Sequence, residues 1–153
     1  MRLSKHFTLD EFTFSQTAIR QGLDNAPDES HIEHMRALCV NVLEPLRAVI
    51  GKPIQITSGY RSPKVNAAIG GSRRSQHIEG KAADIVCPAI GTLALFKALV
   101  RAGLPYDQLI FEGTWVHVSY DESRSREEIL LATFKAGRAT YTALTKRAAL
   151  TLA

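Results

Sequence analysis

Apolar residues recur every three or four positions in two long segments of the chain, which is the spacing of a helix with one buried face. The first segment runs from Asp28 to Ile50, and Pro45 inside it predicts a kink. The second runs from Thr92 to Ala102. Two shorter helices are predicted from their N-terminal caps, one after Thr8 and one after Ser62.

Elsewhere apolar and polar residues alternate over short runs, which is the pattern of a half-buried strand. The residues Gly113-Thr114 separate two of these runs and predict a hairpin turn. A peripheral hairpin is predicted near the C-terminus, and the last residues are expected to form a frayed tail. The predicted strands are Ile54–Thr57, Lys81–Cys87, Gln108–Phe111, Trp115–Tyr120, Ile129–Phe134 and Ala139–Leu144.

Length and composition favour one domain over residues 1–153, because 153 residues with 45% hydrophobic content are enough for one packed core. We expect that core within about residues 3–120, and the hairpin and tail over 121–153. No apolar run reaches the roughly 18 residues of a membrane span, and the first residues lack the apolar core of a signal peptide. We therefore expect no membrane contact and a cytoplasmic location at synthesis.

The two cysteines, Cys39 and Cys87, are too few for a disulfide framework. We expect both to be reduced residues of the core, and a disulfide between them is the less favoured alternative.

The net charge of +4 would suit a polyanionic partner such as nucleic acid or an acidic cell-wall polymer. However, only Arg73-Arg74 and Lys146-Arg147 place basic residues side by side, and the chain has no recognised nucleic-acid motif. The basic residues are therefore interpreted as a solvated surface, and no nucleic-acid partner is expected.

His77, Asp84 and His117 are the candidates for a metal site. His77 lies in a loop that runs into the predicted strand of Asp84, and His117 lies on another predicted strand, so the three side chains could meet. Two histidines and one acid would leave the fourth position of a tetrahedral zinc site open. Spacing alone leaves a second interpretation, that all three are ordinary polar residues.

Four motifs occur together and in order: Ser58-Gly59-Tyr60-Arg61-Ser62-Pro63, Asn66-Ala67-Ala68, Ser75-x-His77-x-x-Gly80-x-Ala82-x-Asp84 and Trp115-Val116-His117-Val118. Their combination resembles the zinc D-Ala-D-Ala carboxypeptidase family. That family includes D,D-carboxypeptidases, D,D-dipeptidases and the L-alanyl-D-glutamate endopeptidases of phage lysins, and it shares its fold with the hedgehog signalling domain. The resemblance covers about residues 3–120, and it implies an α+β fold with a central antiparallel sheet and helices packed on it.

The resemblance also implies a zinc cofactor held by His77, Asp84 and His117. It places Arg61 near the substrate, where its planar guanidinium could bind a carboxylate; an arginine that caps a turn is the alternative. Ser75 could contact substrate or stabilise its own loop.

The chain departs from the family at one position of the predicted site. Members commonly carry an acid three residues before the last histidine ligand, where this chain has Thr114. Glu112 is the nearest acid, and the turn at Gly113-Thr114 could return it to the metal, so we name it as the general acid and base; the alternative is a solvated hairpin charge. Glu79 and Asp107 are weaker substitutes.

Trp115 alternates with His117 on the predicted strand. It could line a substrate groove or pack within the domain, and the sequence does not separate the two roles.

The expected function is hydrolysis of an amide bond in the peptide stem of peptidoglycan, by attack of zinc-bound hydroxide. The chain is expected to be a monomer that reaches the wall by phage-type release. The alternative is a catalytically silent module that binds zinc or the cell wall, such as a phage structural component, and Thr114 favours it.

Overall fold

A six-stranded mixed sheet forms the centre of the structure, a computed structural model that describes residues 1–153. The strands lie in the order β1-β2-β4-β3-β5-β6, and every neighbouring pair is antiparallel except β3 and β5. The strands are β1 (Gln55–Ser58), β2 (Ala82–Val86), β3 (Gln108–Phe111), β4 (Val116–Ser119), β5 (Glu128–Lys135) and β6 (Arg138–Ala143).

The α+β class is therefore confirmed, but the prediction of a wholly antiparallel sheet is wrong at one pair. β4 ends beside the start of β3, since the two form an antiparallel hairpin. The chain then passes to the other side of β3, where the Glu128 N–H donates to the Asp107 carbonyl at 3.0 Å. A strand that begins there can pair with β3 only in parallel. The finer likeness to the hedgehog domain stays a prediction.

The helices surround one face and the edges of this sheet. Their caps follow the sequence signals: Thr8 and Glu11 form a capping box, and the Ser62 hydroxyl accepts from the Val65 N–H. The helices are α1 (Leu9–Thr13), α2 (Gln16–Gln21), α3 (Glu29–Leu38), α4 (Glu44–Ile50), α5 (Pro63–Ala68), α6 (Thr92–Ala102) and α7 (Lys146–Leu150).

A π-helical turn, Cys39–Leu43, joins α3 to α4 and interrupts the predicted helix just before Pro45. The Glu44 N–H donates to the Cys39 carbonyl, one residue further back than in an α-helix. Because proline has no N–H, the wider turn accommodates Pro45 without breaking the helical path. The kink at Pro45 stays a prediction, and the irregularity that the structure shows is the π turn just ahead of the proline.

The two faces of the sheet differ sharply, because side chains alternate along each strand. One face carries Ala83, Ile85, Leu109, Val116 and Val118, all of which belong to the hydrophobic core. Helices α3, α4 and α6 add the remaining large core residues, including Leu38, Leu46, Leu95, Phe96 and Leu99. The opposite face carries Asp84 and His117, so the polar candidates share the face that the core does not use.

The C-terminal residues are ordered, and the predicted frayed tail is wrong. Helix α7 packs on α6, Ala149 is fully buried, and Leu150 and Leu152 pack against the core. The Lys97 ammonium also donates to the Leu152 carbonyl. Ile129 of β5 belongs to the same core, so the core extends beyond residue 120.

Cys39 and Cys87 are both buried and free, as predicted. Burial raises the pKa of the Cys39 thiol to about 12, which makes it an inert core residue. None of the helices combines the length and apolar character needed to cross a membrane.

Candidate metal centre

Asp84 and His117 lie directly opposite each other on the two central strands, β2 and β4. Directly opposed residues share a sheet face, so both side chains project to the side away from the core. His77 approaches them from the loop that precedes β2. All three are at least nine-tenths buried, and the structure brings the predicted set together.

The distances among the three side chains suit a metal ion. Asp84 Oδ1 lies 3.2 Å from His77 Nε2 and 3.3 Å from His117 Nδ1, and the three ligand atoms lie within 4.8 Å of one another. Ligands at zinc–nitrogen distances of about 2.0 to 2.1 Å in a tetrahedron are about 3.3 Å apart. The donor set and its spacing therefore fit zinc with one position open.

A hydrogen bond fixes the orientation of the His77 ring. Its Nδ1–H donates to the Gly59 carbonyl at 2.7 Å, which leaves the Nε2 lone pair directed toward Asp84. A Cβ at Gly59 would lie 2.7 Å from backbone atoms of Phe12, so the close approach of α1 requires glycine there. The Ser-Gly-Tyr-Arg motif thus supports the ring of a ligand that follows it by 18 residues.

The ionisation states of Asp84 and His77 also suit a metal. Burial by itself would raise the pKa of Asp84, but the charges and hydrogen bonds of His77 and His117 outweigh it and hold that pKa below its ordinary value. Burial lowers the pKa of His77. An ionised carboxylate and a neutral imidazole are the forms that bind zinc.

Several polar atoms at this site have no partner within the protein. Three buried side-chain nitrogens have no hydrogen-bond partner: His117 Nε2, Arg61 Nε and Trp115 Nε1. Buried polar atoms in folded proteins are nearly always hydrogen-bonded, so a cluster of unpaired ones marks a place built for something other than packing.

Arg61 lies beside the carboxylate of the triad. Its Nη2 is 3.9 Å from Asp84 Oδ2, and its Nη1 donates to Asn66 Oδ1 at 3.1 Å. Burial lowers the pKa of Arg61, although it stays fully charged. Arg61 also lines a cleft of about 270 Å³ with Arg20, and no acidic residue lines that cleft. A substrate carboxylate would meet only positive charge there.

Glu112 lies on the same sheet face as the triad. Ile110 is directly opposite His117, and Glu112 follows it by two residues, so the side chains point the same way. The Glu112 N–H donates to the Trp115 carbonyl at 3.1 Å, which continues the hairpin beyond β3. Burial, and then the charge of Asp84, raise the pKa of Glu112 above its ordinary value.

The other candidate residues occupy different places. Thr114 is exposed in the turn, and its carbonyl accepts from the Thr92 hydroxyl. The Glu79 side chain is more than half exposed and lies 3.9 Å from Lys81. Ser75 Oγ accepts from the His77 N–H at 3.2 Å, which favours the loop-stabilising role. Trp115 is half-buried on the site face.

Asp107 is buried by contacts that the sequence pattern did not indicate. Arg126 donates to both of its carboxylate oxygens, at 2.8 and 3.0 Å, and Gln76 Nε2 donates to Oδ2 at 2.9 Å. These bonds hold the pKa of Asp107 below its ordinary value against the effect of burial. Asp107 therefore anchors the residue next to His77, and it is not free to move a proton.

An open set of two imidazoles and one carboxylate is the donor pattern of catalytic zinc sites, whereas structural zinc sites are closed by four protein ligands. The site therefore points to the class of metal-dependent hydrolases. The profile of the peptidase M15 family matches residues 5–119, and the chain belongs to that family. The resemblance inferred from the motifs is thereby confirmed.

A curated relative agrees with this assignment. The chain is 39% identical over 62 residues to the zinc D-Ala-D-Ala carboxypeptidase of Streptomyces albus G. The similar stretch is 40% of this chain and spans about a quarter (24%) of the relative. The zinc cofactor expected from the sequence agrees with this relative and with the donor set of the site.

Proposed function

We propose that this protein is a zinc peptidase that hydrolyses an amide bond in the peptide stem of bacterial peptidoglycan. The observation that carries the proposal is the position of Glu112 on the same sheet face as His77, Asp84 and His117. Membership of the peptidase M15 family and the likeness to a zinc D-Ala-D-Ala carboxypeptidase support it.

His77, Asp84 and His117 would hold the metal. Bound zinc supplies Lewis acidity, which polarises a peptide carbonyl and makes a water molecule acidic at neutral pH. The hydrogen bond to Gly59 keeps His77 in the tautomer that can bind a cation. Asp84 would contribute a negative charge that partly balances the charge of a bound dication.

Glu112 would transfer the proton that amide hydrolysis requires. As a carboxylate it accepts a proton from the attacking water, and as a carboxylic acid it donates that proton to the nitrogen of the leaving amine. Its raised pKa brings the two forms closer in energy near neutral pH, which suits a group that must alternate between them.

Arg61 would bind a carboxylate of the stem peptide. Its guanidinium is largely buried, carries an unpaired Nε–H and lies beside a cleft without acidic residues. Stem peptides are rich in carboxylates, and a planar guanidinium recognises them with two parallel hydrogen bonds. Whether the protein acts as a carboxypeptidase or as an endopeptidase depends on whether that carboxylate is the chain end.

The proposal is tested by incubating zinc-loaded protein with purified peptidoglycan and with defined muropeptides, and separating the products by mass spectrometry. Release of D-alanine would indicate a carboxypeptidase, and cleavage within the stem an endopeptidase. E112Q should keep zinc and lose about 100-fold or more of the activity. E79Q, which removes an exposed acid of the loop that carries His77, is the control and should retain activity.

One observation favours a second candidate function, a silent zinc-binding or wall-binding module: Thr114 occupies the position where relatives carry an acid. This module would bind zinc and peptidoglycan without cleaving the peptide stem. Inactive wild-type protein that still sediments with peptidoglycan would support it. Entry to the wall by phage-type release, and the monomeric state, remain predictions.

A further inference from the structure

Tyr141 of β6 lies in line with the metal centre across the sheet. Phe111 of β3 pairs with Leu131 of β5, so Glu112 is level with Ala132, and Ala132 pairs directly with Tyr141. Residues that are level across neighbouring strands share a face. Tyr141 therefore lies on the same face as Glu112 and the triad, two strand spacings or about 10 Å from the Glu112 backbone.

The residue between them is small. Ala132 is buried on that face, so no large side chain separates Glu112 from the phenol of Tyr141. A tyrosine ring that leans over an alanine can bring its hydroxyl close to a peptide held at the metal. Glu112, Ala132 and Tyr141 thus form one row across the sheet on the site face, with the small residue in the middle.

The hydroxyl of Tyr141 faces the charges of the site. Burial and then the negative charges of Glu112 and Asp84 raise the pKa of Tyr141 above its ordinary value, so the hydroxyl is protonated at neutral pH and can donate a hydrogen bond. The residue is nevertheless 52% exposed. The nearby side-chain hydrogen bond of the hairpin runs from the Thr133 hydroxyl to the Thr140 carbonyl and does not involve Tyr141.

The hairpin that carries Tyr141 lies outside the part of the chain that matches the family, which ends at residue 119. Pairing of β5 with β3 nevertheless makes the hairpin a continuous extension of the site face. The Tyr141 end of the row is therefore contributed by the C-terminal part of this chain.

We propose that Tyr141 contacts the substrate, donating a hydrogen bond from its hydroxyl to a carbonyl or carboxylate oxygen of a stem peptide that crosses the metal centre on the Glu112 side. This inference rests on the proposed function. It adds a substrate-binding residue that lies beyond the matched family region.

The test compares Y141F with T142V. Thr142 is the next residue of β6, is exposed, and points to the opposite face, so T142V also removes one hydroxyl but not one on the site face. Both variants should match wild type in melting temperature and zinc content. Y141F should raise KM for a disaccharide pentapeptide about three- to tenfold with little change in kcat. This is the effect expected when the lost hydrogen bond is equally strong in the bound substrate and in the transition state.

A second measurement does not depend on catalysis. Isothermal titration of metal-free protein with the same muropeptide should show Kd weakened by a similar factor in Y141F and unchanged in T142V. Equal KM and Kd in Y141F and wild type would overturn the inference, as would a loss of zinc or of thermal stability in Y141F. If wild-type protein cleaves and Y141F is unaffected, only the inference fails; if wild-type protein neither cleaves nor binds the muropeptide, the proposed function fails with it.

Discussion

Asp84 and His117 face each other across the two central strands, with Asp84 Oδ1 3.3 Å from His117 Nδ1. Backbone pairing alone sets their separation, because directly opposed residues have Cβ atoms about 5 Å apart. The loop before β2 has only to bring His77 to a pair that the sheet already holds. Two of the three ligands are thus positioned by the pairing of β2 with β4.

Removing the Asp84 carboxylate should abolish zinc binding and, with it, the stabilisation that bound zinc gives. Zinc that binds only the folded state adds about 2.7 kcal/mol to the free energy of unfolding when its concentration is 100 times its Kd, and this raises the melting temperature. D84N should lose that rise while it keeps the fold. The check is a thermal melt with zinc and with chelator, together with metal analysis; the D121N variant, at an acid distant from the triad, should respond to zinc as wild type does.

Metal-free E112Q should be more stable than metal-free wild type at pH 7. The pKa of Glu112 is raised on folding from its ordinary 4.5, so its ionised form is favoured less in the folded state than in the unfolded state. The resulting loss of stability is absent at pH values below the pKa of Glu112 in the unfolded state. It grows as the pH rises from that pKa to the higher pKa of Glu112 in the folded state, and it is constant above the latter. E112Q removes the charge and therefore that loss.

Urea unfolding of the two metal-free proteins at pH 4 and pH 7 measures this difference. The advantage of E112Q should be present at pH 7 and much reduced at pH 4. The same advantage at both pH values would mean that the carboxylate charge is not its cause. E79Q, at an exposed acid, should show no such advantage.

Gly59→Ala should disturb both folding and metal binding. The added methyl would lie 2.7 Å from backbone atoms of Phe12, and backbone cannot move aside as a flexible side chain can. We expect a loss of about 2 kcal/mol or more in the free energy of unfolding and weaker zinc binding, since the Gly59 carbonyl accepts from His77. S58A, one residue earlier, should have little effect on either quantity; an unchanged zinc Kd in Gly59→Ala would contradict the proposed link.

Asp107→Asn should lower stability by about 2 kcal/mol, because a buried carboxylate that accepts from Arg126 and Gln76 loses its charge-assisted bonds. We also expect weaker zinc binding, since Gln76 precedes His77 in the chain. Q76A, which removes only the loop contact, separates the two effects: it should weaken zinc binding with a smaller loss of stability. The measurements are chemical unfolding and zinc titration against a competing chelator.

Local signals in the sequence were sufficient for much of the fold. Thr8 and Ser62 mark helix starts because their hydroxyls satisfy backbone N–H groups within three residues, a contact that needs no distant partner. Strand alternation likewise specifies on which face of its own strand Asp84 lies and on which face of its own strand His117 lies. The turn at Gly113-Thr114 was enough to predict that Glu112 could return toward the metal.

Contacts between distant segments were not predictable in the same way. The parallel pairing of β3 with β5 depends on which side of β3 the chain takes after β4, and strand alternation is identical for either choice. The contacts of Asp107 with Gln76 and Arg126 span 31 and 19 residues, and no spacing rule links them. Tyr141 comes into line with Glu112 only through that same parallel pairing.

By itself, then, the sequence determined most of the helices, the strands, the candidate triad of His77, Asp84 and His117, and the family, because these depend on local hydrogen bonds, on alternation and on motifs. Only the tertiary structure decided the strand order, the packing of α7 on the core and the surroundings of the metal centre. The physical reason is that an alternating strand specifies which face each side chain occupies, but not which strand lies beside it.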